Sequence, residues 1–133
     1  VIRPAEHSDV AEICFIYAAA TQKHHYEPIK YTVADFRAYV NDSRSYLLVS
    51  VELGVVRGFL LAYDLLSWCY LDILCVMPEY RRKGDATKLL EDLALKSDCI
   101  EACYYAPDDA VESFLQHHQF QFNPVRTTWV KRG

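Results

Sequence analysis

None of the five cysteines, Cys14, Cys69, Cys75, Cys99 and Cys103, stands in a Cys-x-x-Cys pair. Structural zinc sites usually need that spacing, so no metal site is expected. An odd number of thiols in mostly apolar segments reads instead as reduced, structural cysteines of a cytoplasmic protein. The histidines supply no substitute ligand set. His24-His25 and His117-His118 are adjacent pairs, and neighbours do not share a face of a strand or helix. The sequence also lacks a transmembrane run and a signal peptide, so no membrane partner is expected. Repeats, low-complexity segments and linkers are absent. Net charge is −4, without the basic face of a nucleic-acid binder. With 52% hydrophobic and 24% charged residues, disorder is not expected and a packed core is. A length of 133 residues favours one domain, 1–133. The chain opens on Val1 rather than Met, as a trimmed or incomplete N-terminus would.

What is present concentrates in one stretch, Leu71 to Leu90, which reads LDILCVMPEYRRKGDATKLL. The apolar run LDILCV has the look of a buried strand, ended by Pro78. Three basic residues, Arg81, Arg82 and Lys83, lead to Gly84 and directly into an amphipathic helix. The first backbone N–H groups of a helix have no intrahelical partner, and the helix dipole favours negative charge there. A strand feeding a basic, glycine-containing turn and a helix N-terminus is therefore a natural anion site. Because the rest of the chain is acidic overall, a small phosphorylated ligand suits it better than a polymer.

The remaining elements follow from pattern. Val1 to Arg3 reads as a short strand. Ser8 is a plausible N-cap for a helix with Val10, Ile13, Tyr17 and Ala20 on one face. Residues 21–30 read as a loop, and Thr32 with Asp35 resembles a capping box for a short helix to about Val40. Tyr46 to Val51 and Val55 to Tyr63, joined at Leu53-Gly54, suggest an antiparallel hairpin. Cys69 to Val76 is a third strand, Asp85 to Ser97 a helix, and Cys99 to Ala106 a strand. Asp108 would cap a helix to about Gln119. Phe120 to Phe122 and Thr127 to Lys131 look like a final strand pair. The order β-α-α-β-β-β-α-β-α-β-β implies an α/β (α+β) domain with a mixed sheet and helices on both faces.

This order, together with Val76-Met77-Pro78, Arg81-Arg82-Lys83-Gly84-Asp85-Ala86 and Leu89-Leu90, resembles the GNAT superfamily of acyl-CoA N-acyltransferases. The family signature is an apolar strand, V-x-P, [Q/R]-x-x-G-x-[G/A], and a helix opening with paired leucines. The resemblance implies a single GNAT-like domain with a mixed, mainly antiparallel sheet flanked by helices. It implies acetyl-CoA as co-substrate and an amine of a small molecule or polypeptide as acceptor, and it allows a homodimer. Backbone amides from about Arg82 to Thr87 would cradle the pyrophosphate, with Arg81, Arg82, Lys83 or Lys88 adding charge-assisted contacts. The pantetheine arm would pair with Leu74, Cys75 and Val76. A second family region aligns Asp108, Val111, Phe114, Leu115, Gln119 and Phe120 with N-x-x-A-x-x-[FL]-Y-x-x-x-G-F. Asp108 would touch the pantetheine, cap its helix, or do both.

Family members transfer the acyl group by direct attack, so catalysis rests on positioning and on a backbone donor at the developing oxyanion, here the N–H near Cys75 or Val76. Asp72, in an otherwise apolar strand, is the carboxylate that would take a proton from an ammonium or bind it. Strand alternation places it on the face of Leu74 and Val76. A structural, salt-bridged Asp72 is the plain alternative. Tyr70, on the same face, is a secondary candidate. Leucine at position 115 departs from the family's usual tyrosine, which protonates the leaving thiolate. Tyr104, Tyr105, His117 or His118 would then serve, Tyr105 first among them; or no acid is needed; or the chain binds an acyl-CoA without turning it over. Asp85 is the second departure. A carboxylate beside a pyrophosphate repels it unless it points away and stabilises the helix start. Tyr26 and Glu27, in the 21–30 loop, would help receive the acceptor.

Overall fold

The computed structural model describes residues 1–21, 31–103, 109–124, 126 and 128–133. Eleven elements follow one another among these residues: β1 (Ile2–Pro4), α1 (Val10–Thr21), α2 (Val33–Tyr39), β2 (Ser45–Glu52), β3 (Val55–Asp64), β4 (Cys69–Val76), α3 (Asp85–Lys96), β5 (Cys99–Ala102), α4 (Asp109–His117), β6 (Gln121–Asn123) and β7 (Thr128–Arg132). The strands form one sheet in the order β1-β2-β3-β4-β5-β7-β6. Every neighbouring pair is antiparallel except β4 and β5. The order and the α+β class match the expectation from sequence.

Alternation along β2, β3 and β4 feeds two cores, one on each face of the sheet. Leu47, Val49, Phe59, Leu61 and Ile73 pack with Ile13, Ile16 and Tyr17 of α1 and Phe36 of α2. Leu48, Leu60, Ala62 and Leu71 pack with Leu89, Leu90 and Leu93 of α3 and Leu115 of α4. Among the described residues, no helix is long and apolar enough to cross a membrane.

Local starts and stops differ from the sequence reading in places. The Thr32–Asp35 capping box is present: the Thr32 hydroxyl accepts from the Asp35 N–H at 3.3 Å, and the Asp35 carboxylate accepts from the Thr32 N–H at 2.7 Å. Ser8, however, is not the cap of α1. A 3-10 turn, His7–Asp9, precedes the helix, and Asp9 accepts from the Glu6 N–H at 2.8 Å and from Arg3 at 2.7 Å. A carboxylate that satisfies a backbone donor and a guanidinium outcompetes a serine hydroxyl there. Strand β1 extends to Pro4, opposite Leu48, which an edge strand tolerates. Residues 104–108, expected to complete a strand and cap α4, lie outside the described residues.

Candidate functional site

The parallel pairing of β4 with β5 is short. It runs from Cys69↔Ile100 to Leu71↔Ala102 and stops, while β4 continues antiparallel to β3 as far as Val76. Among the described strands, none covers the β5 side of residues 72–76. The Met77 N–H donates to the Arg57 carbonyl at 2.9 Å. Alternation of an antiparallel ladder then turns the amide groups of Cys75 toward β3, and those of Leu74 and Val76 toward the uncovered side. Of the two amides expected at an oxyanion, Val76's faces the opening and Cys75's does not. The Cys75 thiol is pushed up to about 12 by burial, with Arg81 pulling the other way, so it is no nucleophile near neutral pH.

Beyond β4, Pro78–Tyr80 forms a 3-10 turn and the chain enters α3 through Gly84. Gly84 has φ 87° and ψ 7°, a left-handed conformation that costs a non-glycine residue. A side chain there would meet nothing within 4 Å, so the space in front of the helix is clear. Gly84 offers no side-chain cap. The first intrahelical bond runs from the Lys88 N–H to the Gly84 carbonyl, which leaves the earlier amides unpaired by the helix. A cavity of about 210 Å³ opens there, lined by Val76, Tyr80, Arg81, Arg82, Gly84 and Thr87 among others. Arg81 and Arg82 of this lining are exposed, as are Lys83 and Lys88, and Lys83 Nζ lies 5.8 Å from the Tyr80 ring centre. Unpaired amides, a helix N-terminus and the neighbouring arginines are features that suit an anion.

Asp85, the carboxylate that would repel an anion there, has both oxygens taken by other side chains. It is buried, and accepts from Ser50 Oγ at 2.6 Å and from Arg57 at 2.7 Å. Burial pushes its pKa up, but the bonds from Ser50 and Arg57 win and hold it below the usual carboxylate range.

Asp72 sits on a β-bulge. The register steps from Leu61↔Ile73 to Ala62↔Leu71, which leaves Asp72 as the extra residue. The bulge breaks the alternation assumed from sequence. Ile73 packs in the α1/α2 core and Leu74 against the α3/α4 core. Asp72 Oδ2 accepts from Tyr31 and, at 3.3 Å, from Tyr63, both of which pack against the α1/α2 core. Asp72 is therefore on the α1/α2 side, opposite Leu74, and not on its face. Tyr70 lies between Cys69 and Leu71, which pack on the α3/α4 side, so alternation keeps it with Asp72. The Tyr39 hydroxyl lies 3.1 Å from that of Tyr63, and the Tyr31 and Tyr63 hydroxyls 2.5 Å apart. Burial first, then the Asp72 bond for Tyr31 and the Tyr31 bond for Tyr63, raise both phenols, which stay protonated donors. Asp72 Oδ1 has no partner among the described residues.

Leu115 is buried in the α3/α4 core, while Phe114 beside it lines the cavity. His118 reaches the same region: its Nε2 is 3.2 Å from Thr87 Oγ1, and its ring packs on Phe114. His117 is exposed. Tyr104, Tyr105, Asp108, Tyr26 and Glu27 lie outside the described residues. Sequence reasoning missed Ser50, Arg57, Tyr31 and Tyr63. Arg57 carried a legible signal, a lone charge in the apolar run VVRGFLLAY, which in a buried strand needs a partner.

A sequence model of the acetyltransferase (GNAT) family matches residues 5–120. No curated protein sequence matches the chain. Among solved structures, the fold is similar to PaiA N-acetyltransferase from Thermoplasma acidophilum in complex with coenzyme A, with TM-score 0.84, 17% identity, and 100% of this chain and 98% of that one covered. It is also similar to the ribosomal-protein-S18-alanine N-acetyltransferase from Escherichia coli, with TM-score 0.75, 17% identity, and 98% and 90% covered. A GNAT-family acetyltransferase from Staphylococcus aureus Mu50 gives TM-score 0.81 at 12% identity, with 99% and 98% covered.

Proposed function

Because the chain belongs to the GNAT acetyltransferase family, we propose that it transfers an acetyl group from acetyl-CoA to a primary amine of a small molecule or polypeptide by direct attack. The observation that carries this reading is the cavity at the N-terminus of α3, placed at the end of the uncovered edge of β4. The turn from Arg81 to Thr87 holds the pyrophosphate. The arm runs back along Leu74 and Val76 as an added strand, which their outward amides suit. Asp72 lies four residues, about 13 Å at strand rise, from Val76, and so at the far end of that arm. The coenzyme A of the similar Thermoplasma acidophilum structure supports the choice of co-substrate.

In this reading the acceptor ammonium loses its proton to Asp72, directly or through water. The free amine adds to the thioester carbonyl, the oxyanion takes an outward N–H of β4, the C–S bond breaks, and the departing thiolate takes the nitrogen's second proton through water to leave the amide and the free thiol. The pair of phenols on Oδ2 leaves Oδ1 to meet the amine. Tyr70 remains a secondary candidate at the same end, and Tyr105 a candidate donor to the leaving thiolate. Asp108 is a candidate contact for the arm.

A second reading rests on one observation: Leu115, in the core, supplies no hydroxyl to the leaving thiolate. It makes the chain an acyl-CoA-binding module of little turnover. Thermal unfolding with acetyl-CoA, followed by thiol release over a panel of amines, separates the two. We expect stabilisation and release with at least one amine. Stabilisation without release from any amine favours the second reading, and no stabilisation removes both.

A further inference from the structure

Arg57 of β3 holds both ends of the turn that leads into α3. Its guanidinium donates to Asp85 at 2.7 Å, and its Cζ lies 4.8 Å from the centre of the Tyr80 ring. Tyr80 and Asp85 both line the cavity. Ser50 of β2 completes the set through its 2.6 Å bond to Asp85. Arg57 and Asp85 are mostly buried, with side-chain exposures of 16% and 5%. Arg57 Nε is buried with no acceptor among the described residues, so the carboxylate and the ring are what compensate its desolvation.

Asp85 is the first residue of α3, within the span whose amides would bind a phosphate. An unpaired carboxylate there would cancel much of the attraction of the helix N-terminus. Paired with a buried guanidinium, it contributes almost no net field. We propose that Arg57 is a positioning residue for the co-substrate: it neutralises Asp85, so that the turn accepts a pyrophosphate. The proposal rests on the acetyl-CoA reading above and adds to it two residues outside the turn, Arg57 and Ser50, whose work is done through Asp85.

The test compares binding of coenzyme A by calorimetry, and KM for acetyl-CoA and for S-acetylpantetheine, which carries no phosphate. Arg57→Met leaves Asp85 charged and unpaired. We expect coenzyme A to bind at least tenfold more weakly, KM for acetyl-CoA to rise in step, and KM for S-acetylpantetheine to change less than twofold. The double variant Arg57→Met/Asp85→Asn removes both charges and is expected to bind coenzyme A within threefold of the wild type. Asp85→Asn alone keeps the shape and is expected to bind at least as tightly as the wild type, which keeps the proposal testable should Arg57→Met not fold. Unchanged binding by Arg57→Met, an equal KM rise for both thioesters, no recovery in the double variant, or weaker binding by Asp85→Asn each overturns it. Failure of the wild type itself to bind coenzyme A would overturn the acetyl-CoA reading instead.

Discussion

Asp72 and Asp85 belong to one strand–turn–helix unit, yet their partners divide their work. Both oxygens of Asp85 are taken, by Ser50 and Arg57. Among the described residues Asp72 accepts through Oδ2 alone, from Tyr31 and Tyr63, and in the proposed reading its other oxygen meets the amine. Asp72→Asn is therefore expected to lower kcat by roughly 100-fold, the lower end for a lost general base, while stabilisation by acetyl-CoA is retained. Unchanged turnover would make Asp72 structural. His118 carries a pH prediction of its own. Burial, His117 and Lys131 lower its pKa from the ordinary 6.5. Thr87 faces it across 3.2 Å, the Lys131 ammonium donates to its carbonyl at 2.7 Å, and Glu91 of α3 pulls the other way. A histidine with a depressed folded pKa contributes stability above its unfolded value of about 6.5 and loses it as pH falls toward the folded value. Thermal stability should thus decline from pH 7 to below pH 6, and His118→Gln should flatten that decline. An identical slope in both proteins would remove His118 as its source.

The elements that matter most are β4 and the turn behind it, and their glycines give separable tests. Gly58 packs against β4 so closely that an added Cβ would lie 2.7 Å from the Cys75 carbonyl oxygen. That neighbour is backbone, so Gly58→Ala should part β3 from β4 and cost about 1–3 kcal/mol in a denaturant titration. A cost below half a kcal/mol would show that the strands give way freely. Gly84 has open space but φ 87°, so Gly84→Ala should cost about 1–2 kcal/mol for the left-handed backbone alone. Gly84→Glu adds a negative charge where an anion is expected and should abolish stabilisation by coenzyme A; unchanged stabilisation would falsify the turn assignment. This unit is also where the sequence was most and least readable. Arg81 to Thr87 stood out because cap, charge and strand lie within a few residues, as did the Thr32–Asp35 box. The bulge at Asp72 did not, because nothing local distinguishes a bulged strand from a regular one, and one extra residue reverses which face the following side chains take. The partners of Asp85 were equally hidden. Ser50 and Arg57 reach it only through the register of β2 on β3, 35 and 28 residues away.

At the scale of the whole molecule, the sheet is a shared wall. Consecutive residues of β3, Phe59 to Ala62, alternate between the α1/α2 core and the α3/α4 core. Neither core can lose its strands without stripping the other, although each has its own helices and its own aromatic residues. Tyr17, Tyr31, Phe36 and Tyr39 cluster on one side, and Trp129 is buried on the other. Urea unfolding should therefore be one cooperative transition. Tryptophan fluorescence, weighted to the α3/α4 side by Trp129, and tyrosine absorbance, weighted to the α1/α2 side, should share a midpoint. Coenzyme A at 100 times its Kd should move both midpoints together, adding about 2.7 kcal/mol, because its proposed binding edge on β4 belongs to the wall and not to either core. Two separated midpoints, or a ligand shift seen by only one probe, would mean that the faces unfold independently and that β4 does not couple them.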